Sequence, residues 1–313
     1  MLTTRVRIVA SWIALCGLAS VGAAAPDRPA RGGSRAEPLK TQRVRGALHQ
    51  VSGAGANSFF YVGPNEVLII DAKMTTQAAG QVLAAIKKVT DKPVRRLVLT
   101  HSDRDHVNGL AGYPPALTII SHANTRQDIA QANTTAAAKL PLPNETFTTR
   151  MTLYLGDAEV QLHHFGPAHT NGDVAVCFPS EKAVVVGDLV FVGRDPLIHA
   201  HKKGTSFGLV SVLKSLLQLD VDLFLSGHSD GVDRKTVEAL ATGIQQKQAK
   251  VKALLEEGKT LDEVKEALGI STKPGTGRPR WPSLVEIIYR ELKGKKQPRK
   301  APSNRAKMTS TTQ

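Results

Sequence analysis

Cysteine is scarce: Cys16 and Cys177 are the only two in 313 residues. The N-terminal region also lacks an apolar run long enough to cross a bilayer comfortably, because the stretch over 8–21 falls short of the roughly 20 residues a spanning helix needs. Arg5 and Arg7 precede that stretch and the small residues 22–25 follow it, which is the three-part layout of a secretory signal peptide with a cut after Ala23 or Ala24. The sequence therefore predicts a signal peptide over 1–24, export to the periplasm or beyond, and no stable membrane insertion after its removal. Cys16 leaves with the peptide, and Leu15 before it is too bulky for a lipoprotein cleavage box. Cys177 alone then forms no internal disulfide, even in an oxidising compartment. No internal repeat recurs at a solenoid period either.

The net charge of +14 has the look of a nucleic-acid binder until it is located. Residues 1–46 hold eight Arg/Lys against Asp27 and Glu37, and residues 293–313 hold seven Lys/Arg and no acid, which leaves about +1 for everything between. Specific nucleic-acid binding is thereby disfavoured. The basic tail over 293–313 has too few apolar residues to offset its ordering entropy and is expected to be disordered, and 25–43, rich in Pro, Arg and Gly, reads as a flexible linker.

Between these ends, one domain is predicted over 44–292. Its start is β-like: 47–51, 58–62, a Gly-Pro-Asn-Glu turn, then 67–70. A helix over 74–90 carries Val82, Ile86 and Val89 on one face, and 94–100 is a short apolar run suited to a buried strand. A strand at 117–121, a polar helix over about 124–138, hairpins at 151–164 and 174–186, a helix from about 206 to 219 and a strand at 223–226 follow. Helices fill 232–292, with Thr260 and Glu263 spaced as a capping box and with Trp281 and Tyr289 suited to helix packing. Hairpin-rich halves with helices between and after them predict two face-to-face β-sheets, each covered outside by helices.

The sharpest local feature is His101-Ser102-Asp103-Arg104-Asp105-His106, placed just after the strand at 94–100. Four ligand-type side chains at the mouth of a buried strand need partners, and a divalent metal supplies them, since imidazole and carboxylate are common ligands. Downstream, His169 in Gly166-Pro167-Ala168-His169-Thr170-Asn171-Gly172-Asp173, Asp188 in Val186-Gly187-Asp188 and His228 in Ser226-Gly227-His228 each stand beside or near a glycine at a predicted strand edge. Glycine there lets the backbone fold tightly under a site. Cys177, alternating within a strand, reads as a small core residue, and His163 and His164 as strand residues.

This ordered set resembles the metallo-β-lactamase superfamily, in the variant HxDxDH form, over roughly 44–292 and including Asp71 at the end of an early strand. The resemblance implies the αββα fold of two mixed β-sheets flanked by helices. It places His101, Asp103 and His169 on a first metal and Asp105, His106 and His228 on a second, with Asp188 bridging. One departure stands out: the family's usual second His is Asp103 here. With two divalent cations, three carboxylates and a bridging hydroxide the site carries no net charge, one unit less than usual, which predicts a weaker Lewis acid and a first site more open to iron or manganese, zinc remaining favoured.

The resemblance implies hydrolysis of an ester, lactone, thioester or β-lactam by a hydroxide held between two metal ions, with Asp105 as the catalytic residue that orients the nucleophile. Asp103 argues against β-lactamase activity itself, and a small-molecule lactone or ester is favoured. His199 and His201 lie where relatives place substrate contacts, and Asn57 lies in a glycine-rich loop that overhangs the site in relatives, although turn formation is its simpler role. Thr170, Asn171 and Asp173 are candidates to brace the ligands. Two other readings remain: a mononuclear Fe(II) dioxygenase using His101, Asp103 and His169, and a metal-binding protein without turnover.

Overall fold

The computed structural model describes residues 38–133, 139–271 and 281–296, all within a single compact unit. The predicted signal peptide, most of the linker and residues 297–313 lie outside the described residues.

Seven strands build the first sheet, in spatial order β1 (Lys40–Arg45), β2 (Leu48–Ser52), β3 (Ser58–Val62), β4 (Val67–Ile70), β5 (Val94–Val98), β6 (Thr118–His122) and β7 (Glu145–Phe147). The first four pair antiparallel and the last four parallel, the changeover falling at β4, which pairs antiparallel with β3 and parallel with β5. The second sheet runs β13 (Val232–Asp233), β12 (Leu223–Ser226), β11 (Ala183–Gly187), β10 (Ala175–Phe178), β9 (Ala158–His163) and β8 (Arg150–Leu155), antiparallel except for the β11–β12 pair.

Strand alternation sorts the apolar residues into layers. Phe59 and Tyr61 of β3, Leu68 and Ile70 of β4 and Val98 of β5 face inward, meeting Leu162, Val176, Phe178, Val185 and Leu225 of the second sheet. Their neighbours Phe60, Ile69 and Leu97 face outward, onto Ala79, Val82 and Ile86 of helix α1 (Thr76–Val89). On the far side Cys177, Val184, Val186 and Phe224 pack against α4 (Ser206–Leu216), α5 (Arg234–Glu256) and α7 (Leu284–Lys296). A strand buried on both faces reads as a continuous apolar run, which is why 183–186 stands out in the sequence, whereas in 94–100 the buried apolar stretch is only 97–99, Arg95 being exposed. The remaining helices are α2 (Arg104–Val107), α3 (Ala123–Ala132) and α6 (Leu261–Ala267).

Several boundaries move. Residues 40–43, assigned to the linker, form most of edge strand β1, whose polar KTQRVR sequence hides it: an exposed edge needs no apolar alternation. The tail begins later than 293, because α7 runs on to Lys296, with Arg290 paired to Glu286 and Lys293 lying 5.8 Å from the Tyr289 ring one turn back. Val89 is 45% exposed at the end of α1 and not part of its core face. The polar helix α3 stops at Ala132, and 134–138 lie outside the described residues. The α6 capping box forms in both directions between Thr260 and Glu263. Among the described residues no helix is long and apolar enough to cross a membrane.

Candidate metal centre

Asp71 organises the site from behind. It follows β4 with a left-handed φ of 64°, a conformation aspartate tolerates better than most residues. Its Oδ1 accepts from the Thr100 backbone N–H at 2.8 Å, and its Oδ2 accepts from the Thr100 hydroxyl at 2.8 Å and from His106 Nδ1 at 2.7 Å. The Thr100 hydroxyl has then spent its one proton, so at 3.0 Å it accepts from His101 Nδ1. His169 donates from Nδ1 to the Leu197 carbonyl at 2.7 Å. All three imidazoles are thus held with Nδ1 as donor and Nε2 turned to one centre, where it can bind an ion once its own proton is displaced, the arrangement that outer hydrogen bonds impose on metal-ligating histidines.

The donor atoms fall into two groups, each within 4.8 Å of one another: His101, Asp103, His169 and Asp188 in one, Asp105, His106 and His228 in the other. Two ligands of a tetrahedral ion at 2.0–2.2 Å stand about 3.4 Å apart. In the first group His169 Nε2 is 3.2 Å and His101 Nε2 3.7 Å from Asp103 Oδ2, and each is 3.9 Å from Asp188 Oδ2. Asp188 reaches the second group as well, with Oδ1 3.2 Å from His106 Nε2 and Oδ2 3.1 Å from His228 Nε2, which is itself 3.4 Å from Asp105 Oδ2. Three of these atoms, His101 Nε2, His106 Nε2 and Asp188 Oδ1, are buried with no hydrogen-bond partner. Buried polar atoms are rarely left so. Cations between the donors would satisfy all three, so the residues present fit a pair of divalent ions.

Glycine makes the convergence sterically feasible at two of the positions marked in the sequence. A Cβ on Gly227 would stand 2.6 Å from Asp188 Oδ1 and 2.8 Å from His106 Cε1, and one on Gly187 (φ 51°) would meet Thr100 Oγ1 at 2.6 Å. Asp173 braces the His169 loop, accepting from the Thr170 N–H at 2.9 Å and its hydroxyl at 2.6 Å.

Asp103, the residue that departs from the usual pattern, has neighbours the sequence did not disclose. It occupies the N-cap of α2 yet makes no side-chain cap, because its carboxylate is turned to the site. Oδ2 lies 2.7 Å from His199 Nε2, and Oδ1 accepts from Lys202 Nζ at 2.7 Å. Lys202 also donates to the carbonyl and hydroxyl of Ser102, at 3.1 and 3.0 Å. Burial alone would resist ionisation of Asp103, but His101, His169 and His199 outweigh it and hold the carboxyl well below the usual range. Asp188 is held low in the same way by His106, His228 and His101. The reciprocal effect overcomes burial at His169, raised to about 9 by Asp103, Asp188 and Asp173, and raises His106 well above its ordinary value through Asp71 and Asp188.

A cavity of about 520 Å³ opens over these groups, and both His199 and His201 line it. Asn57 does not. It is buried, its side-chain amide donating to the carbonyls of Ser226 and Ser229 at 3.1 and 3.0 Å, so it clasps the His228 loop. Trp281, expected in helix packing, is 57% exposed and stands at the cavity, stacked on His201 with ring centroids 5.8 Å apart and edge-on to His199. Lys73 was also missed: fully buried, it donates from Nζ to the carbonyls of Val51, Gly53 and Ala56 at 2.8, 2.8 and 2.6 Å, tying down the glycine-rich loop beside Asp105. Burial lowers its pKa to about 8, against the pull of Asp71 and Asp105. Cys177 is a core residue whose thiol burial pushes up to about 11.

The sequence profile of the metallo-beta-lactamase superfamily matches residues 51–228, which takes in every one of these ligand-type residues. The chain belongs to that superfamily. Among superfamily relatives, the 2,4-dinitroanisole O-demethylase subunit alpha of Nocardioides sp. (strain JS1661) is 28% identical over 203 residues, covering 64% of this chain and 61% of that one, so the chain spans less than two thirds of that relative's length. A metallo-beta-lactamase type 2 of Elizabethkingia meningoseptica is 25% identical over 202 residues, 63% of this chain and 78% of the other. In structure, the metallo-beta-lactamase FIM-1 from Pseudomonas aeruginosa in a mono-zinc form superposes with a TM-score of 0.59 at 15% identity, covering 68% of this chain and 97% of that one, which bears on the fold.

Proposed function

We propose that this superfamily member is a metal-dependent hydrolase that holds two divalent ions, zinc by preference, and cleaves a small exported-compartment substrate at an ester or lactone-type carbonyl. The observation that carries the reading is the buried trio of unpartnered atoms, His101 Nε2, His106 Nε2 and Asp188 Oδ1, with Asp188 within 4 Å of imidazoles from both groups. His101, Asp103 and His169 would hold one ion, Asp105, His106 and His228 the other, and Asp188 both. Ions bound there polarise a carbonyl and make water a nucleophile near neutral pH.

The chain's own groups do the rest. Asp105, 23% exposed and lining the cavity, would orient the attacking water, take its proton and return that proton to the leaving oxygen. Asp71 and Thr100 fix the rings, so that the donor set is organised before substrate arrives. The signal-like start of the chain supports an exported enzyme. The relative named for O-demethylation of a dinitroanisole adds an activated aryl ether to the bonds worth testing, beside the lactam implied by the second relative.

A mononuclear iron oxygenase would use only His101, Asp103 and His169, and the complete second group argues against it. Metal analysis of the purified protein followed by a panel of aryl esters, lactones, thioesters and lactams tests the choice. About two ions per chain, with hydrolysis lost on chelation and in a folded, metal-loaded Asp105→Ala variant, is the expected result. One iron per chain with oxygen uptake moves the assignment to the oxygenase, and metal loading without turnover of any panel member leaves a binding protein.

A further inference from the structure

The charged residues around the cavity are sorted by depth. The carboxylates Asp103, Asp105 and Asp188 lie in the ligand groups, and Lys202 is bonded to Asp103. The charged lining that remains is Arg104 and Arg194, both exposed, and neither has a carboxylate partner among the described residues. Arg194 is held by a ring instead: its guanidinium carbon sits 4.5 Å from the Phe191 centroid. Phe191 in turn stacks on the His228 imidazole at 6.0 Å and an interplanar angle of 10°, so guanidinium, phenyl ring and ligand imidazole form one layered wall. The second aromatic element is Trp281, held flat against His201 at 12° and braced edge-on by His199 at 4.7 Å, yet 57% exposed.

Each feature has an ordinary reading alone; an exposed arginine is usually solvated and an exposed tryptophan often incidental. Together they place one flat aromatic face, that of Trp281, and unneutralised guanidinium charge around a cavity of about 520 Å³, a volume that suits a small molecule. A planar ring gains dispersion and stacking from the exposed face of Trp281. An anionic group gains a charge-assisted hydrogen bond from a guanidinium that no protein carboxylate occupies.

Resting on the hydrolase reading above, we propose that the substrate is an aromatic compound with an anionic group on the ring remote from the scissile bond: the ring stacks on Trp281, the anion meets Arg194 and Arg104, and the scissile carbonyl reaches the ligand groups.

The test uses the full-length, metal-loaded protein and three methyl esters: methyl 4-carboxybenzoate, its uncharged isostere methyl 4-carbamoylbenzoate, and the non-aromatic methyl 4-carboxycyclohexanecarboxylate. Binding is read from Trp281 fluorescence in a Trp12→Phe background, which leaves Trp281 as the sole tryptophan, and turnover from kcat/KM. The charged aryl ester is expected to bind about tenfold more tightly than the carbamoyl one, a preference lost in the Arg104→Gln/Arg194→Gln double variant. Trp281→Ala, with binding read by calorimetry, is expected to weaken the aryl esters several-fold and to leave the cyclohexane ester unchanged. Equal affinity for the charged and uncharged esters overturns the proposal. So does a charge preference that survives loss of both arginines, because the anion is then recognised by bound metal. Charge-selective binding without turnover keeps the proposal and removes the hydrolase reading, whereas turnover blind to charge does the reverse.

Discussion

In the group formed by His101, Asp103, His169 and Asp188 the side chains are at most 14% exposed, whereas in the other Asp105 and His228 stand 23% and 27% exposed beside a fully buried His106. Bracing differs in the same direction. His101 leans on Thr100, His169 on the Leu197 carbonyl, and Asp103 is gripped by His199 and Lys202. In the second group His106 alone is fixed through its ring, by Asp71, while the His228 ring rests on Phe191. Pre-oriented, buried donors bind an ion with less reorganisation than donors that water can reach. Under the proposed two-ion reading the first group is expected to keep its ion, and the second, open to the cavity, to exchange it and to meet substrate.

Asp188 is the residue that would erase this contrast, since it stands within 4 Å of imidazoles from both groups. Asp188→Ala is expected to strip both ions, with affinity falling about a thousandfold, well beyond the roughly 10–100-fold that outer residues cost. Elemental analysis after dialysis, with circular dichroism as the control for folding, checks it; two retained ions would remove Asp188 from the shared position.

Asp71→Asn should sharpen the contrast. The His106 N–H loses its anionic acceptor, and the ring, held from behind by nothing else as strong, is freed. The second site is expected to weaken about 10–100-fold. The first feels the change only through Thr100 and should weaken less. Competition with a graded set of chelators resolves the two constants, and equal weakening of both would mean that Asp71 supports the loop as a whole.

The sequence carried the ligands and only some of their braces, Asp71 and Asp173 among them, and the reason is physical. His101 to His106 fall on one tight turn just after the apolar end of a strand, so four ligands are legible as one spelling. Asp188 and His228 follow short apolar strands where glycines at 187 and 227 let the backbone approach, while His169 sits in the loop between β9 and β10. Lys202, by contrast, reaches Asp103 across 99 residues from a three-residue 3-10 helix too short to show a period. Nothing local marks Lys73 either: its burial rests on three carbonyls of a loop some 20 residues earlier. Trp281 was misplaced because an aromatic before a helix has the same spelling whether it packs inward or lines a cavity.

Acid should weaken the first site in a predictable range. In the metal-free protein Asp103, Asp188 and Asp173 raise His169 to about 9 against its burial, and an ion at Nε2 must displace that proton. The sign follows: metal binding releases a proton below pH 9, so first-site affinity drops by up to about tenfold per unit as pH falls from 9, and stops depending on this group above 9. Zinc competition titrations between pH 6.5 and 10 measure the slope, and a flat profile would separate His169 from the ion.

The smallest expected effect bears most directly on why Asp103 is tolerated. An aspartate in place of the usual imidazole adds a negative charge, and Lys202, bonded to it at 2.7 Å, adds the positive charge that restores the balance. Two consequences of Lys202→Met oppose each other. Asp103 loses one orienting hydrogen bond to a charged donor, worth about 1.5–3 kcal/mol, but keeps its 2.7 Å contact with His199. A fixed cation also disappears from beside a divalent ion, a repulsion of a few kcal/mol at an effective dielectric of about 20, reduced by water because the lysine side chain is 20% exposed. The repulsion is the larger, so first-site affinity is expected to rise about fivefold and the pH optimum of turnover to move upward as the site becomes less electrophilic. Lys202→Arg should leave both near their starting values. Asp103→His sets a neutral ligand beside the same lysine, so it should weaken the first site while Lys202 is present and recover when Lys202→Met is added. Chelator titration of the four proteins in that cycle measures the coupling, and additive effects would mean that Lys202 only ties Asp103 to Ser102 and plays no part in the charge of the site.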